Sequence, residues 1–214
     1  MKIFICGDST AASYTQERYP MTGWGQVLPE FVPGAEVVNA AAAGRSTKSF
    51  LSEGRLTAIE REIGPGDLLL VQFGHNDENP LAWRHTDPWT SYMNTLSIFI
   101  DTARLYGAVP VLLTPICIRA WKDRVLLPSH DDYPEAVRTL AAQRGVPLID
   151  MYEKSLALVK SLGEEKSREL YMNFPAGMYP TIPEGRQDNA HTRPGGAEAY
   201  ARMAAEGLRE FGLV

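Results

Sequence analysis

The stretch KIFICGDST, Lys2 to Thr10, decides the fold. Ile3 to Cys6 are four consecutive apolar residues without polar alternation, which reads as a strand buried on both faces, as in a parallel sheet covered by helices. Gly7 permits a tight turn where that strand ends. Asp8, Ser9 and Thr10 then set three polar side chains at its carboxyl end.

Four more apolar runs repeat the pattern: Glu36–Asn39, Asp67–Phe73, Val109–Thr114 and Val146–Ile149. Helical segments lie between them. From Thr90 to Tyr106, the residues Tyr92, Leu96, Phe99, Ala103 and Tyr106 recur at spacings of three and four, one apolar stripe, with Gly107 placed to end it. Asp132–Arg144, closed by Gly145, Met151–Leu162 and Gly196–Phe211 follow, and Trp24–Phe31 and Leu56–Ile63 are shorter candidates. Strand–helix alternation from end to end predicts an α/β fold, a doubly wound parallel sheet, in one domain over residues 1–214. Asn173–Arg193 holds several Pro and Gly residues and no period, so it reads as a long loop of the kind that carries function.

Composition suits such a domain. The 214 residues are 44% hydrophobic and 22% charged, ordinary for a globular chain with a sizeable core. The net charge of −5 argues against nucleic acid and anionic membranes, and leaves any acidic ligand dependent on local basic residues. No apolar run approaches the roughly 20 residues of a membrane helix, and the short stretch after Lys2 does not make a secretory signal, so a cytoplasmic location is expected. Cys6 and Cys117 make no disulfide framework and are expected to be buried, reduced and inert.

In open parallel sheets, ligands bind at the carboxyl ends of the strands. After the first strand, Ser9 offers a hydroxyl nucleophile, although Asp8-Ser9-Thr10 would also suit a helix N-cap. After the second, Gly44 can present a backbone N–H or simply turn the chain. After the third comes Gly74-His75-Asn76-Asp77, where the Asn76 amide could donate to an oxyanion or close an Asx-turn. Near the end, Asp188 and His191 stand three residues apart. On a helical turn that spacing lets the carboxylate reach the imidazole N–H; it also suits a surface pair ahead of the helix at Pro194. Serine-based ester hydrolysis needs a nucleophile, a base, an orienter and oxyanion donors, and Ser9, His191, Asp188, Gly44 and Asn76 supply them where the topology predicts a crevice. His75, Asp77, Asp188 and His191 could instead ligate a metal, but their spacing matches no common zinc signature, so neither metal nor organic cofactor is expected.

Taken together, Gly7-Asp8-Ser9-Thr10, Gly44, Gly74-His75-Asn76-Asp77 and Asp188-Asn189-Ala190-His191 resemble the four blocks of SGNH (GDSL-type) hydrolases, spanning nearly the whole chain. The resemblance implies a flavodoxin-like three-layer α/β/α sandwich with a five-stranded parallel sheet in the order 2-1-3-4-5. It implies that Ser9 is nucleophile and first oxyanion donor, Gly44 and Asn76 the other donors, His191 the base and Asp188 its partner. Thr10 in the first block, Gly44-Arg45-Ser46, His75 and the tract His130–Asp150 look like the rhamnogalacturonan acetylesterase branch, which implies removal of acetyl groups from pectic oligosaccharides. Ala190 departs from that branch, which usually has threonine before the histidine.

Three further substrate contacts are open at this point. Arg45 could hold a uronic carboxylate or form an ion pair at the surface or behind the site residues; His75 could line the acyl pocket or support its loop; His130, in the loop after the fourth strand, could face substrate. Trp83, His85 and Trp89 could stack on sugars, or Trp89 could anchor its helix. The competing functions are an SGNH esterase, thioesterase or lipase acting on another acyl ester, and a non-catalytic binding module of flavodoxin-like topology. No G-x-G-x-x-G or P-loop pattern supports nucleotide binding.

Overall fold

The computed structural model describes residues 1–214. In chain order the elements are β1 (Lys2–Gly7), α1 (Trp24–Val27), β2 (Glu36–Asn39), α2 (Thr47–Ser52), α3 (Arg55–Glu60), β3 (Leu68–Gln72), α4 (Met93–Leu105), β4 (Val109–Leu113), β5 (Trp121–Lys122), β6 (Val125–Leu126), α5 (Tyr133–Arg144), β7 (Leu148–Ile149), α6 (Met151–Lys166), β8 (Tyr171–Phe174), β9 (Arg186–Thr192) and α7 (Pro194–Glu210). Five strands form one parallel sheet in the order β2-β1-β3-β4-β7. That is the 2-1-3-4-5 order of a flavodoxin-like sandwich.

The unbroken apolar runs are explained by burial on both sides. Ile3, Ile5, Leu68, Leu70, Val111 and Leu113 point into one core with Trp24 of α1, Val159 of α6 and Ala201, Ala205 and Leu208 of α7. Phe4, Cys6, Leu69, Val71 and Leu112 point into the other, against Phe50 of α2, Leu56 and Ile59 of α3, Phe99 and Ala103 of α4, and Val137 and Leu140 of α5. Each such aliphatic or aromatic side chain gains about 1.5–3 kcal/mol on leaving water. The expected stripe of α4 holds at Tyr92, Leu96, Phe99 and Ala103, all buried, whereas Tyr106 lies past the helix end and is exposed. Cys6 and Cys117 are buried free thiols, and burial pushes both up from the ordinary thiol range. No helix is long and apolar enough to cross a membrane.

The reading of Asn173–Arg193 as a loop is corrected. Its two ends pair, β8 with β9, in an antiparallel ladder outside the main sheet. β9 reads RQDNAHT and has neither apolar alternation nor β-branched runs, so its extended form comes from pairing with β8. The ladder is also broken: Tyr171 faces Thr192 while Asn173 faces Gln187, and residues 188–191 bulge out between them.

Candidate active site

The site lies at the carboxyl ends of β1 and β3, where His191 of β9 meets Ser9. The turn after β1 is built by Asp8, whose Oδ1 accepts the Thr10 N–H at 2.8 Å and hydroxyl at 2.7 Å, and whose carbonyl takes the N–H groups of Ala11 and Ala12. Ser9 sits at the apex of that turn. Its carbonyl is held by the Tyr14 hydroxyl at 2.7 Å.

His191 Nε2 is 2.9 Å from Ser9 Oγ, and His191 Nδ1 is 2.8 Å from Asp188 Oδ2. The other carboxylate oxygen, Oδ1, accepts the backbone N–H groups of Ala190 and His191, both at 3.0 Å. The helical turn expected from the spacing is thus corrected: Asp188 and His191 meet across an Asx-type turn inside the β9 bulge. Asn189 anchors that bulge. Its side-chain oxygen takes Asn173 Nδ2 at 2.9 Å and Arg119 Nη1 at 3.1 Å, and its carbonyl takes the Arg119 N–H at 2.9 Å. Arg119 is itself buried, its Nε donating to Ser167 at 2.9 Å. Burial alone would raise the Asp188 carboxyl. The His191 hydrogen bond and charge, with the two backbone donors, outweigh it and hold Asp188 well below the usual carboxylate range. Arg186 Nη2 also donates to Oδ2, at 2.9 Å.

A cavity of about 350 Å³ opens over Ser9 Oγ, lined by Gly44, His75, Asn76, Arg84 and His191 among others. Ala43, Ile118 and Ala190 are the hydrophobic residues of its lining. The backbone N–H groups of Ser9 and Gly44 have no acceptor within the protein. Gly44 has φ +79°, a left-handed conformation open to glycine at little cost. Asn76 Oδ1 accepts Arg84 Nη1 at 3.1 Å, and Nδ2 gives one N–H to the Arg45 carbonyl at 3.1 Å, leaving its second N–H for the cavity. The cavity therefore combines a hydroxyl on a base, a base on a carboxylate, and three N–H donors. This set can attack a carbonyl and hold the oxygen that becomes negative.

The remaining expected residues fall differently. His75 lines the cavity and has no hydrogen-bond partner on either ring nitrogen; its Nδ1 faces Asp8 Oδ2 at 3.4 Å. Burial disfavours charge on both groups, yet their mutual attraction holds Asp8 below the carboxylate range and His75 above the usual imidazole range. His130 packs edge-on against the His75 ring, and the expectation that it faces substrate is corrected. It is buried, with Nδ1 3.1 Å from Glu78 and Nε2 2.9 Å from the Ile116 carbonyl. Arg45 is turned away too. Its Nε is shared between the Glu53 oxygens at 3.1 and 3.0 Å and its Nη1 rests on the Ala43 carbonyl, the ion-pair alternative. Asp77 caps the Thr47 N–H of α2. Trp89 anchors α5 through its indole N–H on Asp132 at 2.9 Å, and Trp83 is exposed with Arg84 over its ring. No three His, Cys, Asp or Glu side chains converge in a way that could hold a metal ion. Arg84, Arg119 and Arg186 were missed by sequence reasoning because each is a lone arginine in irregular or weakly patterned sequence.

The family model described as "GDSL-like Lipase/Acylhydrolase family" matches residues 5–170. The chain is 40% identical to rhamnogalacturonan acetylesterase RhgT of Bacillus subtilis, over 100% of this chain and 91% of that protein. It is likewise 40% identical to the probable rhamnogalacturonan acetylesterase YesY of the same organism, over 99% and 94%. The crystal structure of B. subtilis YxiM is similar with a TM-score of 0.85 at 28% identity, over 99% of this chain and 56% of that one. With one family model matching most of its length and two relatives aligned from end to end, the chain belongs to the GDSL-like lipase/acylhydrolase family.

Proposed function

We propose that this chain is a serine acetylesterase that removes acetyl groups from rhamnogalacturonan oligosaccharides, with residues 1–214 acting as one catalytic domain. The observation that carries the chemistry is the continuous path from Ser9 Oγ through the His191 ring to Asp188, at 2.9 and 2.8 Å. The substrate class rests on the two relatives matched along their length.

In this mechanism, His191 Nε2 takes the Ser9 proton as Oγ attacks the acetyl carbonyl. The oxyanion is held by the N–H groups of Ser9 and Gly44 and by the Asn76 amide. His191 then passes the proton to the departing sugar hydroxyl, leaving acetyl-Ser9. Water, deprotonated by the same ring, attacks that ester, and acetate leaves as the proton returns to Ser9 Oγ. Asp188 stays ionised and stabilises the imidazolium.

The test is hydrolysis of p-nitrophenyl esters from acetyl to octanoyl, alongside acetate release from acetylated rhamnogalacturonan oligosaccharides. Acetyl should be cleaved fastest, and Ser9→Ala should be inactive on both substrates. Preference for octanoyl would move the assignment to a lipase or thioesterase, and full activity in Ser9→Ala would remove Ser9 as nucleophile.

A further inference from the structure

The groove continues past His191. A second hollow of about 460 Å³, which His191 also lines, is bounded by Tyr14, Arg18, Met21 and Arg186 among others. It shares Ala43 and His191 with the cavity over Ser9, and shares Arg18, Met21 and Arg186 with a third hollow of about 470 Å³. An oligosaccharide with one sugar at Ser9 has this path along which to lay its neighbours.

The charge of that path is uneven. Apart from His191, the ionisable groups of the second hollow are Tyr14, Arg18 and Arg186, with no carboxylate among them. Glu17 and Glu184 line the third hollow and not the second. Arg18 is exposed and enters none of the protein's ion pairs. Arg186 commits Nη2 to Asp188 Oδ2 at 2.9 Å, leaving Nε and Nη1 free. A chain of net charge −5 attracts no anion at long range, so two cations beside the base form a local feature with a local use.

We propose that Arg18 and Arg186 form a carboxylate subsite, which holds the acid group of a uronic-acid residue of the bound oligosaccharide and makes the enzyme selective for acidic over neutral oligosaccharides. The inference rests on the esterase reading of Ser9, His191 and Asp188. A guanidinium presents paired N–H donors that match the two oxygens of a carboxylate, which a sugar hydroxyl does not. Arg186 would join the substrate's acid group to the same carboxylate that orients His191. Binding energy from a remote part of the substrate would then help to position the acetyl carbonyl over Ser9.

The test is titration calorimetry with a deacetylated galacturonate–rhamnose tetrasaccharide, as the free acid and as its methyl ester. Only the charge differs greatly between the two, and binding requires no turnover. Wild type should bind the free acid about tenfold more tightly, the scale of a charge-assisted pair, and the margin should shrink in high salt. In Arg18→Ala the margin should fall below about twofold, while Arg18→Lys should keep part of it. Arg18 is exposed, so its variants should unfold thermally like the wild type. Equal wild-type affinity for the two forms, no binding of either, or an undiminished margin in Arg18→Ala would overturn the subsite. Acetate release from the acetylated oligosaccharide is read separately. Charge-selective binding without deacetylation would remove the pectic substrate and leave the subsite standing, and deacetylation without charge selectivity would do the reverse.

Discussion

Asp188 holds His191 by both ends: Oδ1 accepts the His191 backbone N–H at 3.0 Å and Oδ2 meets its ring Nδ1 at 2.8 Å. One carboxylate therefore fixes where the residue sits and which way its ring turns. It also selects the tautomer with the proton on Nδ1, so that Nε2 is free to accept from Ser9.

Asp188→Asn separates those functions. The amide oxygen can keep the turn by accepting the backbone N–H groups, but an NH₂ facing Nδ1 favours the wrong tautomer. The variant should fold normally and lose about 10⁴-fold in kcat, the scale seen when a triad carboxylate becomes an amide. Steady-state kinetics on p-nitrophenyl acetate, with circular dichroism to check the fold, decides it. A loss under tenfold would show that Asp188 only shapes the turn.

If Asn76 is an oxyanion donor, as proposed, it should act on the transition state and not on the resting ester, since one of its N–H groups is left without a protein acceptor in the cavity beside Ser9. Asn76→Ala should lower kcat by about 10²–10³-fold with KM little changed, the usual cost of one oxyanion donor. A rise in KM at constant kcat would reassign Asn76 to substrate binding.

Arg84 lines the cavity, and its side-chain hydrogen bond goes to Asn76. By occupying Oδ1 at 3.1 Å it keeps the amide from flipping and points the NH₂ toward the cavity. Arg84→Ala should cost about tenfold in kcat, the scale of a hydrogen bond to a charged group, yet cost less than about twofold in an Asn76→Ala background. Additive losses in that double-mutant cycle would give Arg84 a role of its own.

The sheet is legible in the sequence because burial on both faces leaves an unmistakable trace, runs such as Ile3–Cys6 and Leu68–Val71 with no polar residue. The same logic locates Ser9, Gly44 and Asn76, since each follows a strand whose end the topology assigns to the crevice. Asp188 and His191 are legible as residues but not as geometry. Their shared bulge depends on register with Tyr171 and Asn173 and on the buried Arg119 clamp, none of which leaves a periodic signal. Arg45 and Arg186 show the same limit. Both are arginines near site residues in sequence, and only the fold reveals that Glu53 draws one away while the other lines the groove.

Asp77 supplies a stability test independent of catalysis. It is buried without a Lys or Arg partner, and its Oδ1 accepts from the Thr47 hydroxyl at 2.6 Å and the Thr86 hydroxyl at 3.0 Å. Burial pushes its carboxyl up to about 7, aided by the negative charge of Asp8 and opposed by the threonine donors. In the unfolded chain the group titrates near 3.9. Between those values the native state keeps a proton that the unfolded state releases. Its contribution to stability is therefore full below about pH 4 and is lost as pH rises through 7. Asp77→Asn keeps a neutral group of nearly the same shape and should erase that slope. Urea unfolding at intervals from pH 4 to 8 should show the variant gaining on wild type up to about pH 7 and holding level above it. A difference between the two that stays constant across this range would mean that Asp77 is ionised in the native protein, with the threonine hydroxyls and the Thr47 N–H sufficient to keep its charge.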